Sequence, residues 1–225
     1  MRLNLTTLNP NLLLTKTARI DLHYLPSLEY FCALHSFEDI QLERHEYYVK
    51  QSFRNRCYIT TSQGIQLLIV PLRDKHGKIP VQEVKIDHQQ KWQNNHWRTL
   101  ESAYRNAPYF EFYSDEIKKI LYKGHKYLFD LNCELLSFCL KSVGFKVNLS
   151  FTHSYEMPAP NFVSDFRSQI SPKKPFANRP FYHPIPYQQV FGNEFVPNLS
   201  ILDLLFCEGP HSIRIIQSSK LNKTF

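Results

Sequence analysis

Glycine is scarce in this sequence. The six glycines among 225 residues are scattered, and none falls in a G-x-G-x-x-G or P-loop pattern. Backbone cradles for dinucleotides and triphosphates are therefore excluded, and any nucleotide has to be held by side chains. The five cysteines, Cys32, Cys57, Cys133, Cys139 and Cys207, form no C-x-x-C pair and show no tight spacing to histidine. That argues against a zinc site and a disulfide framework, and it fits a reducing compartment. No G-x-S-x-G elbow or local cysteine-nucleophile signature occurs, so a covalent mechanism is not expected. Long apolar runs are missing too. The leucines of MRLNLTTLNPNLLLTK are interrupted by polar groups without a proper signal-peptide core, which predicts a cytoplasmic protein with no membrane span.

Charge is plentiful but dispersed. Twenty-seven Lys+Arg against 20 Asp+Glu give a net +7, which favours phosphorylated or acidic partners. No run of five or six cations occurs, so the polybasic tail of many nucleic-acid binders is absent and nucleic acid is not the expected partner.

What is present points to one well-packed domain. The chain is 43% hydrophobic and 14% aromatic, enough for a large core. The expected fold is mixed α/β: a central mixed sheet flanked by helices, with a proline-rich surface loop and a short C-terminal helix. Residues 1–18 read as an N-terminal extension, 19–215 as the domain and 216–225 as a tail. A strand at Ile20–Leu22 gives way to a helix opened by Pro26. EDIQLERH alternates like a strand, and RCYITTSQGIQLLIVPL reads as a hairpin whose second strand, Leu67–Val70, is apolar on both faces and hence central. VQEVKID suggests another strand. Trp97, Leu100 and Tyr104 share a helical face that Pro108 must end, and Ser114 could cap the next helix. A longer helix carries Leu128, Leu131, Leu135, Phe138 and Cys139 to a stop at Gly144. FKVNLSFT alternates as a strand. Prolines 158, 160, 172, 175, 180, 184 and 186 make 157–186 a loop without regular structure. Ser200 caps a final helix ending at Gly209-Pro210.

Three groups of residues could carry chemistry. In YVKQSFRNRC, Arg54 and Arg56 stand two apart, so a strand would present both guanidiniums on one face with Asn55 on the other. Two such forks, with Lys50, match a phosphate or carboxylate; equally, they could be a solvated strand edge. In WQNNHW, Trp92, His96 and Trp97 bring rings and an imidazole together at a helix start, where His96 could serve as a general base or be a hydrogen-bonded helix residue beside core tryptophans. His23 and His45 have the same two readings, with the structural one favoured. Asp203, a carboxylate in the apolar SILDLL, is paired, exposed or tuned for chemistry.

Four stretches in order, YLPSLEYFCAL, YVKQSFRNRCYI, WQNNHWRTLESAYRNAPYFEFYSDE and YQQVFGNEFVPNLSILDLLFCEGP, resemble the WbqC-like family, in the form associated with Bacteroidota. His45-Glu46-Tyr47 departs from the acidic-Asn-Tyr lead expected there. The resemblance implies surface-polysaccharide (O-antigen, lipopolysaccharide) synthesis and a glycyl or acyl transferase acting on an amino-sugar or nucleotide-sugar. No bound cofactor or metal is implied, only an acyl or aminoacyl donor. It also implies that His96, Glu43 and Asp203 form the catalytic set. Lys50, Arg54, Asn55, Arg56, Trp92, Tyr104 and Tyr24 would bind the substrate. The alternative is a non-catalytic module for a nucleotide-sugar, glycan or RNA.

Overall fold

The structure, a computed structural model, describes residues 17–73 and 77–221. All but the last two residues of the N-terminal extension, the first three residues of the polar turn DKHGK (74–76) and residues 222–225 of the tail lie outside the described residues. Four parallel strands, β1 (Thr17–Asp21), β2 (Asp39–Glu43), β5 (Asn148–Phe151) and β6 (Val163–Asp165), form a sheet in the order β5-β2-β1-β6. The separate antiparallel hairpin consists of β3 (Arg56–Thr61) and β4 (Gly64–Ile69). Six helices pack with them: α1 (Leu28–Leu34), α2 (Trp92–Tyr104), α3 (Phe110–Tyr122), α4 (Leu128–Val143), α5 (Ile201–Glu208) and α6 (Ser212–Ser219). The mixed α/β single domain is as expected, but its parallel and antiparallel pairings belong to two sheets.

Local chemistry accounts for most boundaries. Pro26 stands just ahead of Ser27, the residue before α1, since a proline ring tolerates the start of a helix and disrupts its interior. α4 buries Leu128, Leu131, Leu135 and Cys139 and stops at Gly144, whose φ of 80° is the left-handed conformation that ends helices. Ser200 accepts a hydrogen bond from the Leu202 amide at the start of α5. At the other end of α5, Gly209 has φ 51°, and an added Cβ there would stand 2.5 Å from the Tyr109 ring. Helix α6 runs to Ser219 with Ile216 fully buried, so packed structure continues through residues 216–219.

Several expectations are corrected. β4 is not central: it pairs only with β3, and Ile65 and Ile69 are exposed. Its apolar run covers one face of a hairpin instead of filling a sheet. VQEVKID is no strand. It makes a 3-10 turn at Val81–Glu83 and then isolated bridges from Lys85 to Tyr127 and from Ile86 to Leu72. Ser114 caps nothing, because α3 already begins at Phe110, two residues after Pro108, and leaves Ser114 buried within the helix. β5 exposes Leu149 and Phe151 despite its alternation, as it forms a sheet edge. The proline-rich stretch contains β6, whose three residues pair with Thr17, Ala18 and Arg19.

The topology has one consequence for function. From β1 the chain moves outward through β2 to β5, then returns to place β6 on the opposite side of β1. In open parallel sheets, ligands bind where the strand order reverses in this way, at the carboxyl ends of the strands. Asp21, Glu43 and Asp165 are the last residues of β1, β2 and β6.

Candidate active site

A buried cluster of charge occupies that end of the sheet. The Asp21 carboxylate accepts from His23 Nε2 at 3.0 Å and from the Ser168 amide at 2.9 Å, and it forms an ion pair with Arg54, whose Nη2 lies 2.9 Å away. Arg54 in turn grips Glu46 with both forks, Nε at 2.7 Å and Nη2 at 2.5 Å. Its own carbonyl receives Asn132 Nδ2 at 2.7 Å. Asp21 and His23 are fully buried.

Two carboxylates share one guanidinium, and their acidities diverge. Burial alone would raise Asp21, but Arg54 and His23 outweigh it and hold the group well below the usual carboxylate range. Burial pushes Glu46 up to about 7 in spite of the Arg54 hydrogen bonds, since one buried cation cannot neutralise both acids. With Asp21 ionised, the proton between it and His23 sits on His23 Nε2. In the neutral imidazole Nδ1 carries the lone pair, and Nδ1 has no hydrogen-bond partner.

A second knot adjoins at the end of β2. Glu43 accepts from Thr152 Oγ1 at 2.7 Å, the His45 amide at 2.8 Å and Arg167 Nη1 at 2.7 Å. Arg167 also clasps Asp165 and the Glu156 carbonyl. The Glu43 oxygens are thus already occupied, so Glu43 is placed as an anchor for the segment after β6.

The residues expected from sequence divide among several places. Arg54 and Arg56 do not share a strand face: Arg54 lies in the turn before β3, and Arg56 is its first residue. Arg54 is internally paired, whereas Lys50 is exposed and Arg56 half-buried, and neither forms an ion pair among the described residues. Asn55 donates to the Val70 carbonyl at 2.9 Å. His96, Tyr24 and Trp92 form another group. His96 Nε2 lies 3.2 Å from the Ile69 carbonyl, to which it must donate, so Nδ1 accepts from the Tyr24 hydroxyl at 2.9 Å. The Trp92 ring packs against His96 at 5.2 Å. Burial pushes His96 down to about 4, so it stays neutral with both nitrogens engaged. Asp203 binds Tyr104 Oη and Tyr187 Oη, each at 2.7 Å, and Gln189 Nε2 at 2.9 Å. The imidazole that joins the Arg54 cluster is therefore His23, not His96. The signal for it was the pair Asp21-x-His23 at the end of an apolar strand. Among the described residues no group of three His, Cys, Asp or Glu could hold a metal ion, and no helix is long and apolar enough to cross a membrane.

The fold and the cluster define a mixed α/β domain with a buried group of paired charges at the switch point of its parallel sheet. The model of the WbqC-like protein family matches residues 22–171 and 177–215, and the chain belongs to that family. It is 30% identical over 231 residues to "Uncharacterized protein Rv1507c" of Mycobacterium tuberculosis (strain ATCC 25618 / H37Rv), an alignment covering 88% of this chain and 97% of that protein. No solved structure matches.

Proposed function

We propose that the protein is a cytoplasmic transferase that moves a glycyl or other acyl group from an activated donor to the amine or hydroxyl of an amino-sugar or nucleotide-linked sugar in surface-polysaccharide synthesis. The observation that carries the reading is the buried Asp21–His23 pair with an unpartnered Nδ1. A lone pair backed by an ionised carboxylate is the arrangement of a general base. His23 takes the acceptor's proton as its nitrogen or oxygen attacks the donor carbonyl, and it returns that proton to the leaving group as the carbonyl–donor bond breaks. Asp21 stabilises the intervening imidazolium, and Arg54 fixes Asp21 in place. Lys50 and Arg56, on either side of Arg54 in sequence and without carboxylate partners among the described residues, are the cations suited to a donor's or acceptor's phosphates. The Phe53 ring lies 5.6 Å from that of His23, and the exposed turn that leads into it has to move for substrate to enter.

The complete burial of Asp21 and His23 favours a second reading, in which the cluster only braces a module that binds a nucleotide-sugar, glycan or RNA. Amino-sugar nucleotides assayed with acyl- and aminoacyl-thioester donors separate the two. For a transferase, His23→Asn lowers turnover by about 10²–10⁴-fold and leaves acceptor affinity near wild type. Ligand binding by a wild-type protein that turns over none of these pairs supports the module.

A further inference from the structure

The segment Pro186–Phe195 takes no part in the cluster, yet buried side-chain hydrogen bonds tie it down. Gln189 is buried, and its side-chain amide both donates to the Val196 carbonyl at 2.9 Å and accepts from the Val196 amide at 2.8 Å, closing the loop as a backbone bridge would. The same Nε2 reaches Asp203, and so does the Tyr187 hydroxyl. Both tethers of the loop thus end on one buried carboxylate in α5. Gly192, with φ 82°, makes the turn at its tip. Such a loop is preorganised, and it lines an open surface pocket of about 350 Å³.

The lining of that pocket is selective. It combines the rings of Tyr187, Phe191 and Phe195 with the planar polar groups of Gln188, Asn193 and Glu194, and it includes no cation. Two other pockets on this basic protein each contain two, Lys141 with Lys146 and Arg98 with Arg105. A phosphate or free carboxylate would meet only Glu194 as a charged partner and be repelled. A purely apolar ligand would strand the amides without partners. The ligand that satisfies both halves has an apolar face for the rings and several hydroxyls for the amides and carboxylate.

We propose that this loop binds the pyranose ring of a neutral or amino-bearing sugar, with Glu194 favouring the amino-bearing form. The inference goes beyond the transferase reading, and sugar binding here requires no turnover. Saturation-transfer NMR on the full chain with methyl glycosides of glucosamine, N-acetylglucosamine and glucose, and phosphorus NMR with inorganic phosphate, tests it. Transfer to the sugar ring protons is expected, with no phosphate broadening that Asn193→Ala or Glu194→Gln removes. The exposed Asn193→Ala should weaken sugar binding by about 3–10-fold, the loss of one hydrogen bond. Glu194→Gln should remove the preference for glucosamine, and Lys146→Ala should change neither. Absence of transfer from all three glycosides, or binding indifferent to both Asn193→Ala and Glu194→Gln, overturns the proposal. If those variants leave binding unchanged while His23→Asn abolishes turnover, the subsite fails and the transferase stands; sugar binding sensitive to them in a protein without turnover gives the reverse.

Discussion

Asp21 and Asp203 are both fully buried, and the protein treats them in opposite ways. Asp21 faces a guanidinium and an imidazole and is held ionised. Asp203 faces only neutral donors, two phenols and an amide, and burial raises its pKa in spite of them. Burial by itself therefore says little about chemistry. The partners decide whether a hidden carboxylate is a charge ready to stabilise a neighbouring cation or an acceptor that ties loops together. The first sits at the switch point of the sheet, the second beneath the Pro186–Phe195 loop.

The largest test of this contrast removes the cation. Arg54→Met leaves Asp21 and Glu46 facing one another without a guanidinium, and it should cost about 3–5 kcal/mol, as for other broken buried ion pairs. Tyr104→Phe removes one neutral donor of three from Asp203 and should cost about 1–3 kcal/mol. Urea midpoints at pH 7 with unchanged slopes measure both. If Tyr104→Phe proves the costlier, the contrast between a charged and a neutral centre collapses.

The next test is pH. Asp21, with its pKa lowered by folding, contributes stability that is present above the ordinary carboxylate pKa and is lost as pH falls through the folded value. Glu46 works the other way: the folded state holds its proton up to about 7 against 4.5 unfolded, so its contribution is present below pH 4.5 and disappears as pH rises to 7. Glu46→Gln should remove that decline, whose slope cannot exceed about 1.4 kcal/mol per pH unit. Parallel stability profiles of wild type and variant between pH 4.5 and 7 would show that Arg54 keeps Glu46 ionised throughout.

Much of the fold was readable because it rests on local signals. Gly144, Ser200 and Pro26 mark helix ends through backbone conformation or capping, which a short window contains. The pairing of strands did not rest on such signals. The apolar run of β4 is equally compatible with a central strand and an exposed hairpin arm, and β6 is three residues long within a proline-rich stretch. The site shows the same division. Arg54 stood out as a cation in a suggestive motif, but its partners Asp21 and Glu46 come from two other segments, and its pairing with Asp21 depends on the sheet topology. His23 looked structural because its value lies in an orphaned nitrogen, which only coordinates reveal. His96 looked chemical because of its aromatic neighbours, yet those neighbours and the Ile69 carbonyl occupy it.

The smallest expected effect concerns that histidine. Tyr24→Phe takes away the hydroxyl that donates to His96 Nδ1 and leaves a buried acceptor unsatisfied, at a cost of about 1–2 kcal/mol. Folding lowers the His96 pKa from 6.5 to about 4, so the native state refuses a proton that the unfolded chain accepts. The associated stability is complete above pH 6.5 and is lost as pH falls toward 4. In Tyr24→Phe the lone pair is free, and protonation no longer has to displace a donor. The folded pKa should move up toward 6.5, and the acid-side loss should shrink. Titration of the His96 ring protons by NMR reads this directly. An unchanged pKa in the variant would mean that desolvation alone sets it and that the Tyr24 hydroxyl contributes packing without governing protonation.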